Sequence, residues 1–203
     1  MVGETFKVDE KKEIKDISPK KKFLYILDQD ETEIKKLSRE DLEEAVKVMR
    51  KCSFDVTDKE VVMIIDYNMS FGCYVNRMLI GVGLSWPAHY DENEKGIRNG
   101  EPNAIYCEDP AVLLSYEGRG IRRILLKTRE ENAKSSGYKY VLTYLSEDLP
   151  KGGLEDYIRE SGGQLEKLYL SENYQFLKTD RGILRLRICD YITIPSSNAS
   201  LTI

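Results

Sequence analysis

The stretch AVLLSYEGRGIRRILLKTREENAKSSG, from residue 111 to 137, constrains the fold of this 203-residue chain most strongly. An apolar run, Val112–Leu114, leads through a polar turn to a glycine-flanked arginine, Gly118-Arg119-Gly120, and an amphipathic segment follows directly. This order predicts a strand, a tight turn and a helix that ends near Gly137. Backbone N–H groups at a helix start are unpaired, and glycine admits a close ligand, so the stretch suits a phosphorylated ligand. A tight turn without a ligand remains an alternative.

Composition favours one globular domain with a highly charged surface. Hydrophobic residues make up 41% and charged residues 33% of the chain, and the net charge is -4. The acidic balance argues against a general nucleic-acid partner. No apolar run approaches the roughly 18 residues that span a membrane, and Met1–Lys22 lacks the apolar region of a signal peptide. We therefore expect neither a nucleic-acid nor a membrane partner.

The cysteines are scattered and histidine is scarce. Cys52, Cys73, Cys107 and Cys189 form no C-x-x-C pair, and His89 is the single histidine. A Cys/His zinc site is therefore not expected, and no other metal is predicted. Four free thiols favour a reducing, cytoplasmic location.

The organisation that we predict is a charged tail over 1–22, one domain over 23–194 and a C-terminal tail over 195–203. The predicted elements are a strand at Phe23–Leu27, a strand at Glu33–Leu37, a helix from Ser38 to about Cys52, a helix at Asp58–Tyr67, strands at Phe71–Val75 and Met78–Trp86, a strand at Ala104–Leu114 interrupted by Pro110, the helix from Gly120 to about Ser136, a strand at Tyr138–Tyr144, helices at Leu154–Ser161 and Gln164–Glu172, and strands at Tyr174–Lys178 and Ile183–Asp190.

Three local signals support these boundaries. Ser38 and Asp41 have the spacing of a capping box. Pro87 is predicted to end its strand, and the polar segment His89–Asn103 reads as a long loop. Asn173 is well suited to a left-handed residue at a helix end. The whole order predicts a mixed sheet flanked by helices.

Four stretches together resemble the GCN5-related N-acetyltransferase (GNAT) superfamily over about residues 31–190. They are Glu33–Leu42, like the family's first strand and helix; Met78–Ser85, like the strand after the hairpin turn; Val112–Leu126, like the acetyl-CoA signature with its R/Q-x-x-G-x-G/A turn; and Leu168–Tyr174, like the late motif with its Leu-Tyr pair. The resemblance implies an α/β (α+β) fold with a mixed, mostly antiparallel central sheet, whose strands splay at the CoA site.

The resemblance also implies roles for individual residues. Backbone N–H groups along Gly118, Arg119, Gly120, Ile121 and Arg122 would bind the CoA pyrophosphate. Val112 and Leu114 would pair through their backbones with the pantetheine arm. Tyr169 would protonate the departing thiolate, with a purely structural tyrosine as the alternative. Glu108 would deprotonate the acceptor amine, although Asp109 beside it and Pro110 leave the strand register open.

Two positions depart from the family signature. Glu117 stands where Arg or Gln is usual, and Arg122 stands where Gly or Ala is usual. The leading hypothesis is an acyl-CoA-dependent N-acyltransferase that transfers acetyl from acetyl-CoA to a small-molecule or peptide amine. The departures motivate a catalytically inactive GNAT-fold binding or regulatory module as the rival, and another acyl donor, a longer acyl-CoA or an aminoacyl-tRNA, is a third reading. Pairing of terminal strands within the chain or across a homodimer stays open.

Overall fold

The computed structural model describes residues 32–145 and 149–189. The predicted tails over 1–22 and 195–203 and the predicted strand at Phe23–Leu27 lie outside these ranges. The single-domain boundaries at 23 and 194 therefore stay a prediction.

Ten strands and five α-helices make up the described part of the chain. In order they are β1 Thr32–Lys36, α1 Leu42–Lys51, α2 Asp58–Ile65, β2 Phe71–Val75, β3 Met78–Gly83, β4 Ser85–Asp91, β5 Gly96–Arg98, β6 Ala104–Cys107, β7 Ala111–Val112, α3 Ile121–Ser135, β8 Tyr140–Leu145, α4 Leu154–Ser161, α5 Gln164–Ser171, β9 Gln175–Thr179 and β10 Gly182–Ile188. Short 3-10 turns precede α1 at Arg39–Asp41 and follow β7 at Leu114–Tyr116.

The strands form two sheets that continue into each other. The first has the order β1-β2-β3-β7 and the second the order β5-β4-β6-β8-β10-β9. Every pair in the described ranges is antiparallel except β6 with β8. Helices α3 and α5 pack on the face of the second sheet that carries Ile105 and Val141. The predicted mixed, mostly antiparallel sheet flanked by helices is confirmed.

The two sheets separate at a point where two neighbouring strands are interrupted directly opposite each other. β3 gives way to β4 at Leu84, and β6 gives way to β7 at residues 108–110. The backbone N–H of Glu108 donates to the carbonyl of Leu84 across the break, at 3.0 Å. Before the break β6 pairs with β8, whereas after it β7 pairs with β3. One edge of β7 is therefore left without a strand neighbour in the described chain, which is the predicted splay.

Arg129 holds this break from the side of α3. Its side chain is fully buried and donates to the carbonyls of Leu84, at 2.9 Å, and Glu108, at 2.7 Å. It also donates back to Leu125 in its own helix. Gly83 leaves room for the guanidinium, because a Cβ there would lie 2.9 Å from Arg129 Nε. Charge-assisted bonds to two carbonyls thus fix the point at which the strands part.

Helices α1 and α2 are each preceded by a capping box. Ser38 accepts from the backbone of Glu40, and Asp41 accepts from the Ser38 backbone, as predicted. Thr57 and Glu60 form the same arrangement before α2. Each cap satisfies backbone N–H groups that the helix cannot pair itself. Behind the caps, α1 buries its apolar face against β3, and α2 packs against α1 and β4 in the same core cluster.

Three boundary predictions in the middle of the chain are wrong. Met78–Trp86 is two strands, since the break at Leu84 divides it. Pro87 does not end its strand but pairs with Ile105 inside β4. β5 pairs with β4 only from His89 onwards, so at Pro87 that side of β4 is a sheet edge, where a missing N–H costs no ladder bond. The predicted loop His89–Asn103 instead holds the β4–β5 hairpin.

The strand predicted to run from Ala104 to Leu114 is also shorter than expected. β6 ends at Cys107, β7 contains only Ala111 and Val112, and Leu114 opens a 3-10 turn. Later elements agree with the prediction more closely. Helix α4 spans Leu154–Ser161 as predicted, and Asn173 has a left-handed φ of 61° after α5.

No helix in the described ranges is long and apolar enough to cross a membrane. Within the same ranges, no group of three or more His, Cys, Asp or Glu side chains is arranged to hold a metal ion.

Candidate functional site

The N-terminus of α3 is open and has no side-chain cap. Gly120 precedes the helix in the left-handed region, with φ 79° and ψ 8°. Gly118 has φ 75°, and a Cβ there would meet no atom within 4 Å. Both positions favour glycine because a side chain would strain the backbone. The first backbone N–H groups of α3, together with the helix dipole, make an anion site, so these residues fit a phosphorylated ligand.

A cavity of about 380 Å³ opens at this helix start. It is lined by Val112, Tyr116, Glu117, Gly118, Gly120, Ile121, Arg122, Arg123, Gln164 and Leu168. Five of the seven positions predicted for CoA thus lie around one cavity, which we call the first cavity. Arg119 is not among its lining residues, and its guanidinium lies over the Tyr116 ring at 4.9 Å.

The two predicted strand positions differ from each other. Val112 is buried, pairs with Gly81 of β3 and lines the first cavity. Leu114 is 83% exposed, lies outside the strand and does not line the cavity. The expectation that Leu114 offers strand backbone is therefore wrong, because the chain turns after Val112. The free edge of β7 at Val112 has no strand neighbour in the described chain, and the Val112 backbone there hydrogen-bonds the Cys52 thiol.

The two residues that depart from the family signature pair with each other. Arg122 donates to Glu117 at 2.5 Å, and both side chains are a little over one-third exposed. The arginine thus neutralises the carboxylate that would otherwise face the helix start. Arg123 extends from the same helix turn to Glu172 and Ser171, which keeps it in a defined position beside the cavity.

A second cavity of about 500 Å³ lies on the other side of Arg122, which lines both. It is lined by Cys52, Ser53, Phe54, Asp55, Tyr106, Glu108, Asp109, Pro110, Ala111, Arg122, Tyr144 and Leu165. The loop between α1 and α2 supplies one wall, and β6, β7 and β8 supply the other. The structure thereby brings Glu108 close to the predicted ligand turn.

Glu108 is a partly buried carboxylate in the lining of the second cavity. Burial, and secondarily the charge of Asp109, raise its pKa above the ordinary value. One oxygen accepts from the Asp109 backbone at 3.2 Å, and no cation forms an ion pair with Glu108 among residues 32–145 and 149–189. A partly buried carboxylate with a raised pKa suits general-base catalysis near neutral pH.

Tyr169 occupies a different environment. It is fully buried, and its hydroxyl donates to Asp109 at 2.8 Å. Arg185 donates to the same carboxylate oxygen at 2.8 Å and to Glu166 at 2.8 Å, and its guanidinium lies 4.5 Å from the Tyr169 ring. Burial, followed by the Asp109 charge, raises the pKa of Tyr169 well above the ordinary phenol value. Tyr169 lines neither cavity.

Sequence reasoning missed the buried charges around the site. Asp109, Glu166 and Arg185 form one ion-pair network, and Arg129 clamps the strand break. The available signal was the alternation of β10, where Arg185 and Arg187 interrupt an apolar strand. Arginine at an inward strand position requires an acidic partner, but the sequence does not say which one.

Comparison with solved structures identifies the fold. The ribosomal-protein-S18-alanine N-acetyltransferase from Escherichia coli matches with a TM-score of 0.58 at 14% identity, over 81% of this chain and 97% of that one. PaiA N-acetyltransferase from Thermoplasma acidophilum, in complex with coenzyme A, matches with 0.54 at 15%, over 77% and 98%. A GphF GNAT-like decarboxylase in complex with isobutyryl-CoA matches with 0.60 at 13%, over 78% and 100%.

The chain therefore has the GNAT fold that the sequence resemblance implied. No family model and no curated protein matches the sequence.

Proposed function

We propose that the protein is an acyl-CoA-dependent N-acyltransferase that transfers acetyl to an amine. The observation that carries this proposal is the pair of adjoining cavities with Arg122 between them. One cavity ends at the uncapped start of α3, and the other contains Glu108. Solved GNAT-fold proteins with coenzyme A or isobutyryl-CoA bound lend further support. Four free cysteines are consistent with a cytoplasmic location, which we also propose.

The first cavity would hold the CoA portion of the donor. Backbone N–H groups at the start of α3 face the position of an anion, and the Glu117–Arg122 pair keeps that position free of net negative charge. The edge of β7 at Val112, which has no strand neighbour in the described chain, would bind the amide groups of the pantetheine arm as an added strand does, in place of the Cys52 thiol that the Val112 backbone now hydrogen-bonds. Acetyl-CoA supplies the activated thioester.

Glu108 would act as the base in the second cavity. Its carboxylate takes one proton from the attacking ammonium group, so that the free amine can form a C–N bond to the acyl carbon. As the acyl group passes to the amine, the C–S bond to CoA breaks, and the thiolate that leaves needs a proton. Arg122 lines both cavities, so the base Glu108 in the second cavity and the donor site at the start of α3 would lie on opposite sides of this residue.

We propose Tyr169 as the proton donor to that thiolate. For this step the Tyr169 hydroxyl must give up its hydrogen bond to Asp109 and donate to the CoA sulfur instead. Tyr169→Phe is expected to lower kcat about tenfold without changing KM for acetyl-CoA, because the donor is lost and the cavity walls are intact. Steady-state kinetics check this. If kcat is unchanged while the free energy of unfolding falls by about 1–2 kcal/mol, the hydroxyl serves only as a hydrogen-bond donor to the partly buried Asp109.

The Glu117–Arg122 pair is expected to control donor affinity. Arg122→Gln leaves Glu117 uncompensated at the anion site, and we expect the Kd for CoA to rise about fivefold. Glu117→Gln is the matched control and is expected to bind CoA at least as well as the wild type. The double variant should recover most of the loss, as titration calorimetry can show. Equal weakening by the single and double variants would mean that Arg122 contacts the ligand directly.

The proposed function is tested by acetyl-CoA binding with a local reporter. Cys52 is the one cysteine of four that is not buried, lines the second cavity and follows α1. Because the Val112 backbone hydrogen-bonds the Cys52 thiol at the edge where the pantetheine arm would bind, bound acetyl-CoA should slow labelling of Cys52 by a thiol reagent. Cys52→Ser should abolish the labelling signal. Absence of both calorimetric binding and protection at millimolar acetyl-CoA would overturn the proposal.

One observation favours a second candidate, an inactive GNAT-fold binding module. The tyrosine that aligns with the family's proton donor is tied to Asp109 inside the protein. If Glu108→Gln and Tyr169→Phe both leave acetyl transfer to a confirmed acceptor unchanged, neither residue is catalytic and this second candidate is favoured.

A further inference from the structure

The second cavity has an aromatic wall. Trp86 on β4, Tyr106 on β6 and Tyr144 on β8 form a row across three neighbouring strands. The ring centroids of Trp86 and Tyr106 are 4.5 Å apart, and those of Tyr106 and Tyr144 are 6.4 Å apart. Tyr106 and Tyr144 line the cavity, with Phe54 across it in the α1–α2 loop. Aromatic faces of this kind attract alkylammonium ions.

The charges that remain uncompensated in this cavity are negative. Asp109 pairs with Arg185, which it shares with Glu166, and Arg122 pairs with Glu117. Glu108 and Asp55 are left, and neither forms an ion pair with any residue in the described parts of the chain. The only cationic side chain in the lining is Arg122, so a bound anion would meet two unpaired carboxylates.

Glu108 and Asp55 differ in position. Glu108 adjoins Tyr106 at the inner end and is partly buried, whereas Asp55 is exposed in the loop at the rim. A ligand that reaches from one to the other across the aromatic row would present one charge at each end. Its alkyl chain would lie on the rings, where apolar area is buried.

We propose that the acceptor is a small cationic alkylamine with two positive groups, one delivered to Glu108 for acylation and the other held by Asp55. This rests on the proposed function in treating the second cavity as the acceptor site. The aromatic row makes the alkyl segment an additional determinant of specificity. Arg122 is the only cationic side chain in the lining, and its pairing with Glu117 disfavours recognition of a carboxylate.

Three amines of equal chain length test the charge requirement. Binding of 1,5-diaminopentane, pentylamine and 5-aminopentanoate to the full chain without acyl-CoA is measured by calorimetry. The diamine is expected to bind about fivefold tighter than pentylamine, and 5-aminopentanoate more weakly than either. Equal affinities, or preference for 5-aminopentanoate, would overturn the inference.

Two variants test whether the preference for the diamine over pentylamine arises in the second cavity. Asp55→Asn should remove the difference between the diamine and pentylamine, whereas Glu44→Gln, an exposed carboxylate of α1 outside the cavity, should preserve it. A preference that survives Asp55→Asn contradicts the assignment of Asp55. A Gly-Lys-Gly peptide that binds more tightly than the diamine would overturn the small-molecule acceptor.

These outcomes are separable from those for the proposed function. Diamine binding without acetyl-CoA binding or acetyl transfer would overturn the transferase proposal and retain the cation site. Acetyl transfer to amines with no dependence on the second charge would retain the transferase and overturn the cation site.

Discussion

Glu108→Gln is expected to lower kcat for acetyl transfer by about 100-fold, which corresponds to about 2.7 kcal/mol of transition-state stabilisation. Glutamine keeps the size and one hydrogen-bond acceptor but cannot take the ammonium proton. The Glu108 carboxylate has no paired cation among the described residues, so the substitution leaves no other charge unsatisfied. Binding of CoA at the start of α3 should remain unchanged, because Glu108 does not line the first cavity.

The pH profile provides an independent check on this role. Burial raises the pKa of Glu108, so its basic form is gained as pH rises through that raised pKa. The wild-type kcat/KM should therefore rise with pH as Glu108 loses its proton and level off at higher pH. This rise should disappear in Glu108→Gln. Glu101→Gln, an exposed carboxylate outside both cavities, is the control and should keep the wild-type profile. A Glu108→Gln enzyme with the wild-type profile would remove Glu108 from the mechanism.

Arg185→Met is expected to destabilise the protein by about 3 kcal/mol, because it removes the cation from a buried network. Arg185 is fully buried and bonds to Asp109 and Glu166, both at 2.8 Å. Methionine replaces the aliphatic part of the arginine side chain, but it leaves two carboxylates without a counter-charge. For a chain of this size the loss corresponds to roughly 10 °C in Tm. Urea unfolding monitored by circular dichroism measures the change in free energy.

Arg159→Met supplies the matched comparison. Arg159 pairs with Asp156 on α4, but its side chain is 70% exposed, so the expected loss is below about 0.5 kcal/mol. Similar losses for the two variants would show that the Asp109–Arg185–Glu166 network contributes no more than a surface pair. Because Asp109 also accepts from Tyr169, the Arg185 variant should in addition alter how firmly the phenol is held.

The parts of the fold that were predicted correctly are those encoded by neighbouring residues. The Ser38–Asp41 box fixes a helix start within four residues, and Asn173 adopts its left-handed turn directly after α5. The glycines before α3 likewise act locally, since each sets its own backbone angle. Such signals need no knowledge of what lies across the sheet.

The errors arise where a distant element decides. Pro87 remains inside a strand because β5 begins to pair two residues later, a fact that depends on residues 96–98. The segment from Met78 to Trp86 has continuous strand character in sequence, and it breaks at Leu84 because Arg129, 45 positions away, binds that carbonyl. Leu114 falls outside the strand because the chain turns after pairing with β3.

In the candidate site, too, the features set by neighbouring residues were predicted and those set by distant residues were not. The ligand turn was predicted from one contiguous stretch, and most of its residues surround one cavity. The second cavity joins the α1–α2 loop, three strands and Leu165, so no single stretch of sequence contains it. The environment of Tyr169 depends on Asp109, 60 positions earlier, and on Arg185 in the last described strand. Charge pairing inside a fold is not periodic in sequence and leaves no local pattern.

The contact between Gly83 and Arg129 has an evolutionary consequence. Any side chain at position 83 would meet a guanidinium that three hydrogen bonds hold in place, so neither position can change alone without cost. Relatives should therefore exchange the two residues together, a larger residue at 83 accompanying a shorter one at 129. A pair so linked would act as an inherited unit, and its joint substitution would mark the lineages in which the sheet opens differently.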